Sequence, residues 1–110
     1  MSNVIKYLLF LLIILTTPLV SRAQSVLISE FLASNDGGLA DESGNFEDWI
    51  ELYNQGDTAI NLRGWHLTDD TEDLARWRFP AVAIPPGGYL VVFASGKDLR
   101  KPGANLHTNF

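Results

Sequence analysis

Seven consecutive residues, Asp48-Trp49-Ile50-Glu51-Leu52-Tyr53-Asn54, constrain the fold more than any other stretch of the chain. A period of two puts Ile50 and Leu52 on one side of a pleat and Trp49, Glu51 and Tyr53 on the other, as in a strand with one face in a core. Gln55-Gly56-Asp57 closes the run with turn formers. The same grammar then recurs. Ile60 to Leu62, Trp65 to Thr68, Trp77 to Phe79 and Tyr89 to Phe93 are short aromatic or β-branched runs, separated by Gly, Pro, Asn or Asp. Such spacing predicts an all-β domain.

Upstream, Val26 to Ala33 reads as a first strand, with Leu27, Ser29 and Phe31 on one face and Val26, Ile28, Glu30 and Leu32 on the other. Its alternation is imperfect, so a helix is the alternative, and β-branching with the following turn cluster favours the strand. Ser34 to Gly38 must turn, and the loop runs on through Leu39 to Glu47, long for a compact domain. Ile60 with Leu62, Trp65 with Leu67, and Trp77 with Phe79 are expected to point inward, leaving His66 outward. Pro80 ends one strand because it has no ladder donor, and Val82 to Ile84 suits an edge strand. After the Pro85-Pro86-Gly87-Gly88 turn, the continuous apolar run Tyr89 to Phe93 predicts a strand covered on both faces.

The N-terminus has a different character. Lys6 precedes an apolar run from Tyr7 to Leu15, and Ser21-Arg22-Ala23 supplies the small residues of a cleavage site, the pattern of a secretory signal peptide. The expected division is residues 1–23 as signal peptide and 24–110 as the domain, with Gln24 as the first mature residue. A membrane anchor is the alternative, but a span needs about 20 apolar residues and this run breaks at Thr16-Thr17-Pro18. No stable membrane span is expected after cleavage, and the product is expected outside the cell or at its surface.

The chain has no cysteine, so an oxidising compartment would add no disulfides and the core must suffice alone. Loss of Lys6 and Arg22 leaves six basic residues against thirteen acidic ones, a net of −7. That balance, with the basic residues scattered, argues against nucleic acid as a partner.

Catalysis by a serine-histidine-acid set is not expected, because only His66 and His107 are available and no nucleophile-elbow pattern surrounds a serine. Zinc lacks both cysteine and a close pair of histidines. Calcium is the best metal candidate, since it takes oxygen ligands from acidic loops. Asp41 and Glu42 in one loop, and Asp69, Asp70, Glu72 and Asp73 in another, are the candidate ligands, against the plainer reading of solvated turns. Trp49, Glu51 and Tyr53 form a possible ligand face, where an acid lies between aromatics that would suit sugar stacking.

Several segments in the right order strongly resemble the lamin tail domain in its bacterial, secreted branch. They are Val26 to Ala33, the Asp41-Glu42 loop, Asp48 to Asn54, Leu62-Arg63-Gly64-Trp65-His66-Leu67-Thr68-Asp69-Asp70, Trp77-Arg78-Phe79-Pro80 and Ile84 to Val92. The resemblance covers nearly all of residues 25–110. It implies an immunoglobulin-like β-sandwich without a catalytic site, in which Trp65 and Trp77 are core. Leu106-His107-Thr108-Asn109-Phe110 resembles the segment ahead of the family's final strands, so the chain is expected to lack those strands, as a truncated reading frame would. The expected function is adhesion, targeting or scaffolding within a larger extracellular protein, with an extracellular protein or carbohydrate as partner. The alternative is the N-terminal fragment of an extracellular nuclease, phosphatase or kinase-like enzyme whose catalytic domain lies elsewhere.

Overall fold

The structure is a computed structural model that describes residues 25–110. The expected signal peptide, residues 1–23, lies outside the described residues. Eight strands follow one another: β1 (Val26–Leu32), β2 (Asp48–Asn54), β3 (Ile60–Asn61), β4 (His66–Leu67), β5 (Trp77–Arg78), β6 (Ala83–Ile84), β7 (Tyr89–Ala94) and β8 (Leu106–His107). No helix occurs among the described residues. A four-stranded sheet in the order β1-β2-β7-β8 forms one layer, and the two-stranded ribbons β3-β6 and β4-β5 form the other. This is the all-β domain that the strand pattern predicted, with the immunoglobulin-like sandwich architecture that the resemblance implied.

Cross-strand partners share a face, so the register sorts the sheet into an inner and an outer side. On the inner side Ile50 lies opposite Val92, Leu52 opposite Leu90, and Leu106 opposite Val92. These pack with Leu62, Leu67, Trp77, Phe79 and Ile84 of the second layer into one core. Trp77 is completely buried, meets Phe79 edge to face at 4.9 Å, and donates its indole N–H to Asp98 Oδ1 at 3.0 Å. Ile60, Trp65 and Val82 close the margin of this core, and His66 faces solvent, as alternation predicts.

β1 departs from the simple alternation. Its register with β2 shifts between Ile28 and Glu30, leaving Ser29 as an unpaired extra residue, a β-bulge. Past a bulge the facing inverts. Phe31, which strict alternation groups with Leu27 and Ser29, instead lies opposite Ile50 on the same inner side as Ile28.

The turn into β7 is tight. Gly88 N–H donates to the Pro85 carbonyl at 2.9 Å, and Gly87 sits at φ +69°, a conformation that favours glycine. A side chain at Gly88 would meet Pro85 Cγ at 2.7 Å. In β7 the expected double coverage holds at Val92 and Phe93, which are buried from opposite sides, but Tyr89 at the strand's start is exposed. β8 joins the far side of β7 in parallel, and His107 and Leu99 exchange backbone hydrogen bonds at 2.9 and 3.0 Å.

Candidate functional site

The long loop between β1 and β2 is held by its own polar side chains. Asn35, buried, donates from Nδ2 to the Leu39 and Glu47 carbonyls at 2.8 and 2.9 Å and accepts from Gly38 N–H at 2.8 Å. Its backbone N–H donates to Asp48 Oδ1 at 3.1 Å, which ties the loop to the start of β2. Asp41 repeats the device. Its Oδ1 accepts from Ser43 and Asn45 N–H, both at 2.9 Å, while its Oδ2 takes Lys97 Nζ at 2.7 Å.

The outer side of the sheet supplies the floor. His107 lies beside Phe93, ring centroids 5.2 Å apart and nearly parallel, and it is fully buried. Its Nε2 is 2.9 Å from Glu42 Oε2, and its Nδ1 is 2.7 Å from Ser95 Oγ. A carboxylate can only accept, so Nε2 carries the proton, and in the neutral ring Nδ1 accepts from the Ser95 hydroxyl. Asn105 Nδ2 adds a second donor to Glu42 Oε2 at 3.1 Å. Ser95 Oγ in turn accepts from Lys97 N–H at 3.2 Å.

The electrostatics follow from these contacts. The Lys97 hydrogen bond, joined by the Asn45 and Ser43 amides and last by the lysine's charge, outweighs burial and holds the Asp41 carboxyl below its ordinary value of 3.8. The hydrogen bond from His107 holds Glu42 below 4.5. The bond to Asp41 raises Lys97 above 10.5, with Glu47 at 3.7 Å assisting. The cluster is therefore acidic but carries its own cation.

Ser95, His107 and Glu42 form a nucleophile-base-acid chain that sequence reasoning discounted. The signal was present but unreadable, since 65 residues separate His107 from Glu42 and only the fold brings them together. A hydrolytic set also needs donors aimed at a developing oxyanion. Here Gly96 N–H already donates to the Phe110 carbonyl at 3.0 Å, and Lys97 N–H to Ser95 itself. The bonds instead fasten the loop over the sheet: Glu42 to β8, and Asp41 to the chain after β7.

Asp41, Glu42 and His107 also place three ligand atoms within 4.8 Å of one another, and among the described residues they are the single such group. Sequence reasoning named the first two as calcium candidates and missed the third. Lys97 Nζ already occupies Asp41 Oδ2, and Glu42 Oε2 already holds two donors. A metal ion would have to displace these. Asp41 is also no solvated turn residue, because its side chain is fully buried in the ion pair.

The second acidic loop closes on itself. Thr68 Oγ1 donates to the Asp73 carbonyl at 2.7 Å and accepts from Asp70 N–H at 3.0 Å, while Asp70 Oδ1 caps Glu72 N–H at 2.9 Å. Asp69 pairs with Arg76 at 2.9 Å. Asp69, Asp70, Glu72 and Asp73 are therefore not brought together as a ligand set.

The face of Trp49, Glu51 and Tyr53 is the outer side of β2, and it is divided. Trp49 lies opposite Phe93 at the end tied down by the loop, and its buried indole nitrogen has no hydrogen-bond partner among the described residues. Glu51 accepts from Ser29 Oγ at 2.8 Å. Tyr53, at the other end, stacks on the exposed Tyr89 with ring centroids 4.6 Å apart.

Comparison with known proteins gives one finding that bears on this architecture. A family model described as the Lamin Tail Domain matches residues 20–109. No curated protein and no solved structure matches the chain.

Proposed function

Because the chain belongs to the lamin tail domain family, we propose that it is an exported, non-catalytic docking module, acting in adhesion, targeting or scaffolding within a larger extracellular protein. The observation that carries this reading is the end strand β1. Among the described residues it pairs with β2 alone, so its other side presents backbone donors and acceptors that no described strand takes up. Large apolar side chains stand exposed along it, Ile28 and Phe31 among them. Exposed apolar surface of this kind marks interaction sites on soluble domains.

Export rests on the pattern of residues 1–23, and among the described residues no helix is long and apolar enough to cross a membrane. The partner is an extracellular protein or carbohydrate. Nucleic acid is disfavoured by thirteen acidic residues against eight basic ones in the whole chain. The two amides that follow Ser95 are already engaged, Gly96 with the Phe110 carbonyl and Lys97 with Ser95 itself, which supports a module without turnover of its own.

The test is expression of the full chain in a bacterial host with an export pathway, followed by mass spectrometry of the product and measurement of its retention on cell surfaces. The product is expected in the medium or on the envelope, beginning at Gln24, with retention reduced by Ile28→Ser and Phe31→Ser. A cytoplasmic product still carrying residues 1–23, or variants retained as well as the parent, would sink the reading.

A further inference from the structure

The inner face of the four-stranded sheet is covered by the second layer except along β1 beyond Val26, which is itself buried in the core. Ile28 and Phe31 point to that inner side, in register with Leu52 and Ile50, yet they are 56% and 69% exposed while Leu52 is 4% exposed. Two clefts run along this flank and share Ile28. The larger, about 400 Å³, reaches from Phe31 and Trp49 to Ala94 and Phe110. The smaller, about 170 Å³, lies between Ile28 and the Trp65, Leu67 and Phe79 side chains of the opposing layer. The larger falls within the range of roughly 300–1,000 Å³ common for specific sites. An apolar trough beside an unpaired strand edge has the shape of a place for one more strand.

Charge narrows what that strand is. In the β1-β2 register Glu30 lies directly opposite Glu51, a like-charge pair that destabilises a sheet. Among the described residues neither takes part in an ion pair, and neither does Asp48, which lines the larger cleft beside Asp69. β1 carries no lysine or proline, so its bulge at Ser29 and the single charge of Glu30 are all that blunt its edge. A second copy of the chain would bring another acidic β1 to this flank. A cationic strand would relieve Glu30 and Glu51 and be steered by the acidic surface.

We propose that the trough beside β1 takes an extended segment of a partner protein, apolar at alternate positions and bearing lysine or arginine between them, which joins the sheet next to β1. This rests on the docking-module reading and adds the chemistry of the partner. Apolar side chains enter the clefts between the layers, and cations on the other side of the pleat lie alongside Glu30.

The test uses the full chain and two capped eight-residue peptides, one alternating lysine with valine and one alternating glutamate with valine. Titration calorimetry is expected to show binding of the lysine peptide that weakens with salt, and no binding of the glutamate peptide. Phe31→Ser, whose side chain is largely exposed and whose fold circular dichroism can verify, is expected to weaken binding about tenfold. Glu30→Gln removes the charge at almost constant shape and is expected to weaken it severalfold. Equal binding of both peptides, or of neither, overturns the proposal. A dimer in sedimentation that is disrupted by Phe31→Ser and blocks the peptide assigns the trough to a second copy and also overturns it. If the peptides fail while Phe31→Ser still lowers retention on cells, the docking module stands and the cationic strand falls.

Discussion

Asn54 closes β2 and is completely buried, so replacing it separates a structural polar interior from one held ready for a ligand. Its Nδ2 donates to the Thr58 carbonyl at 2.8 Å and to the Ile84 carbonyl at 3.0 Å, and its Oδ1 accepts from Gly56 N–H at 3.0 Å. In Asn54→Ala the Thr58 carbonyl, on an exposed residue, is rehydrated. The Ile84 carbonyl, on a residue with no exposure, loses one of its two donors and keeps the Ile60 amide opposite it in the β3-β6 ladder. The bonds lost to Ile84 and Gly56 contribute about 1 kcal/mol each. The void left by the amide adds about 1 kcal/mol. A loss of about 3 kcal/mol in a domain of this size lowers the melting temperature by roughly 12–24 °C. Thermal unfolding followed by circular dichroism reads the effect, with Asn61→Ala as the control. Asn61 is exposed and accepts only from Arg63 N–H among the described contacts, so its loss is expected within about 0.5 kcal/mol of the parent. An Asn54→Ala protein as stable as the control would refute the reasoning.

The loop clamp has further consequences for stability and reactivity. Lys97→Met leaves the buried Asp41 carboxylate without its cation and is expected to lower the melting temperature, with Asp41→Asn in the same chain restoring part of the loss; a double variant less stable than Lys97→Met would contradict the ion pair's role. Asp41 and Glu42 are held below 3.8 and 4.5, so their contribution to stability is complete above about pH 4.5 and lost as pH falls through their folded-state values. Lys97 is raised above 10.5, so its contribution is complete below that pH and lost as pH rises past its folded-state value; urea midpoints flat across both windows would contradict these shifts. Ser95→Ala is expected to lower stability by about 1 kcal/mol through loss of one hydrogen bond. An organophosphorus reagent is expected to leave Ser95 unlabelled, and a stoichiometric adduct there would reinstate the catalytic reading.

The strand pattern was legible because apolar periodicity is a local signal. Trp77, Phe79, Leu62 and Leu67 all point where alternation puts them, and the turn at Pro85 to Gly88 lies where its residues demand it. Phe31 did not follow, because a bulge leaves no mark in a period of two and one extra residue inverts everything after it. The clamp was half legible. The loop's acids stand out in the sequence, but their partners Lys97 and His107 lie 56 and 65 residues further on. Nothing local distinguishes an aspartate that will be buried against a lysine from one that will face water. The place of His107 as the buried centre of the network was not legible, because a parallel partner strand cannot be inferred from a two-residue run.

Amide hydrogen exchange of the full chain, without any partner, tests the central claim that β1 is an open edge and the β1-β2 loop a fastened one. The amides of β2 and β7 should exchange slowest and those of β1 much faster, while the Ser43 and Asn45 amides, bound to Asp41, should be protected although both residues are exposed. A β1 as slow as β2, or Ser43 and Asn45 amides exchanging like those of a free loop, would contradict the account.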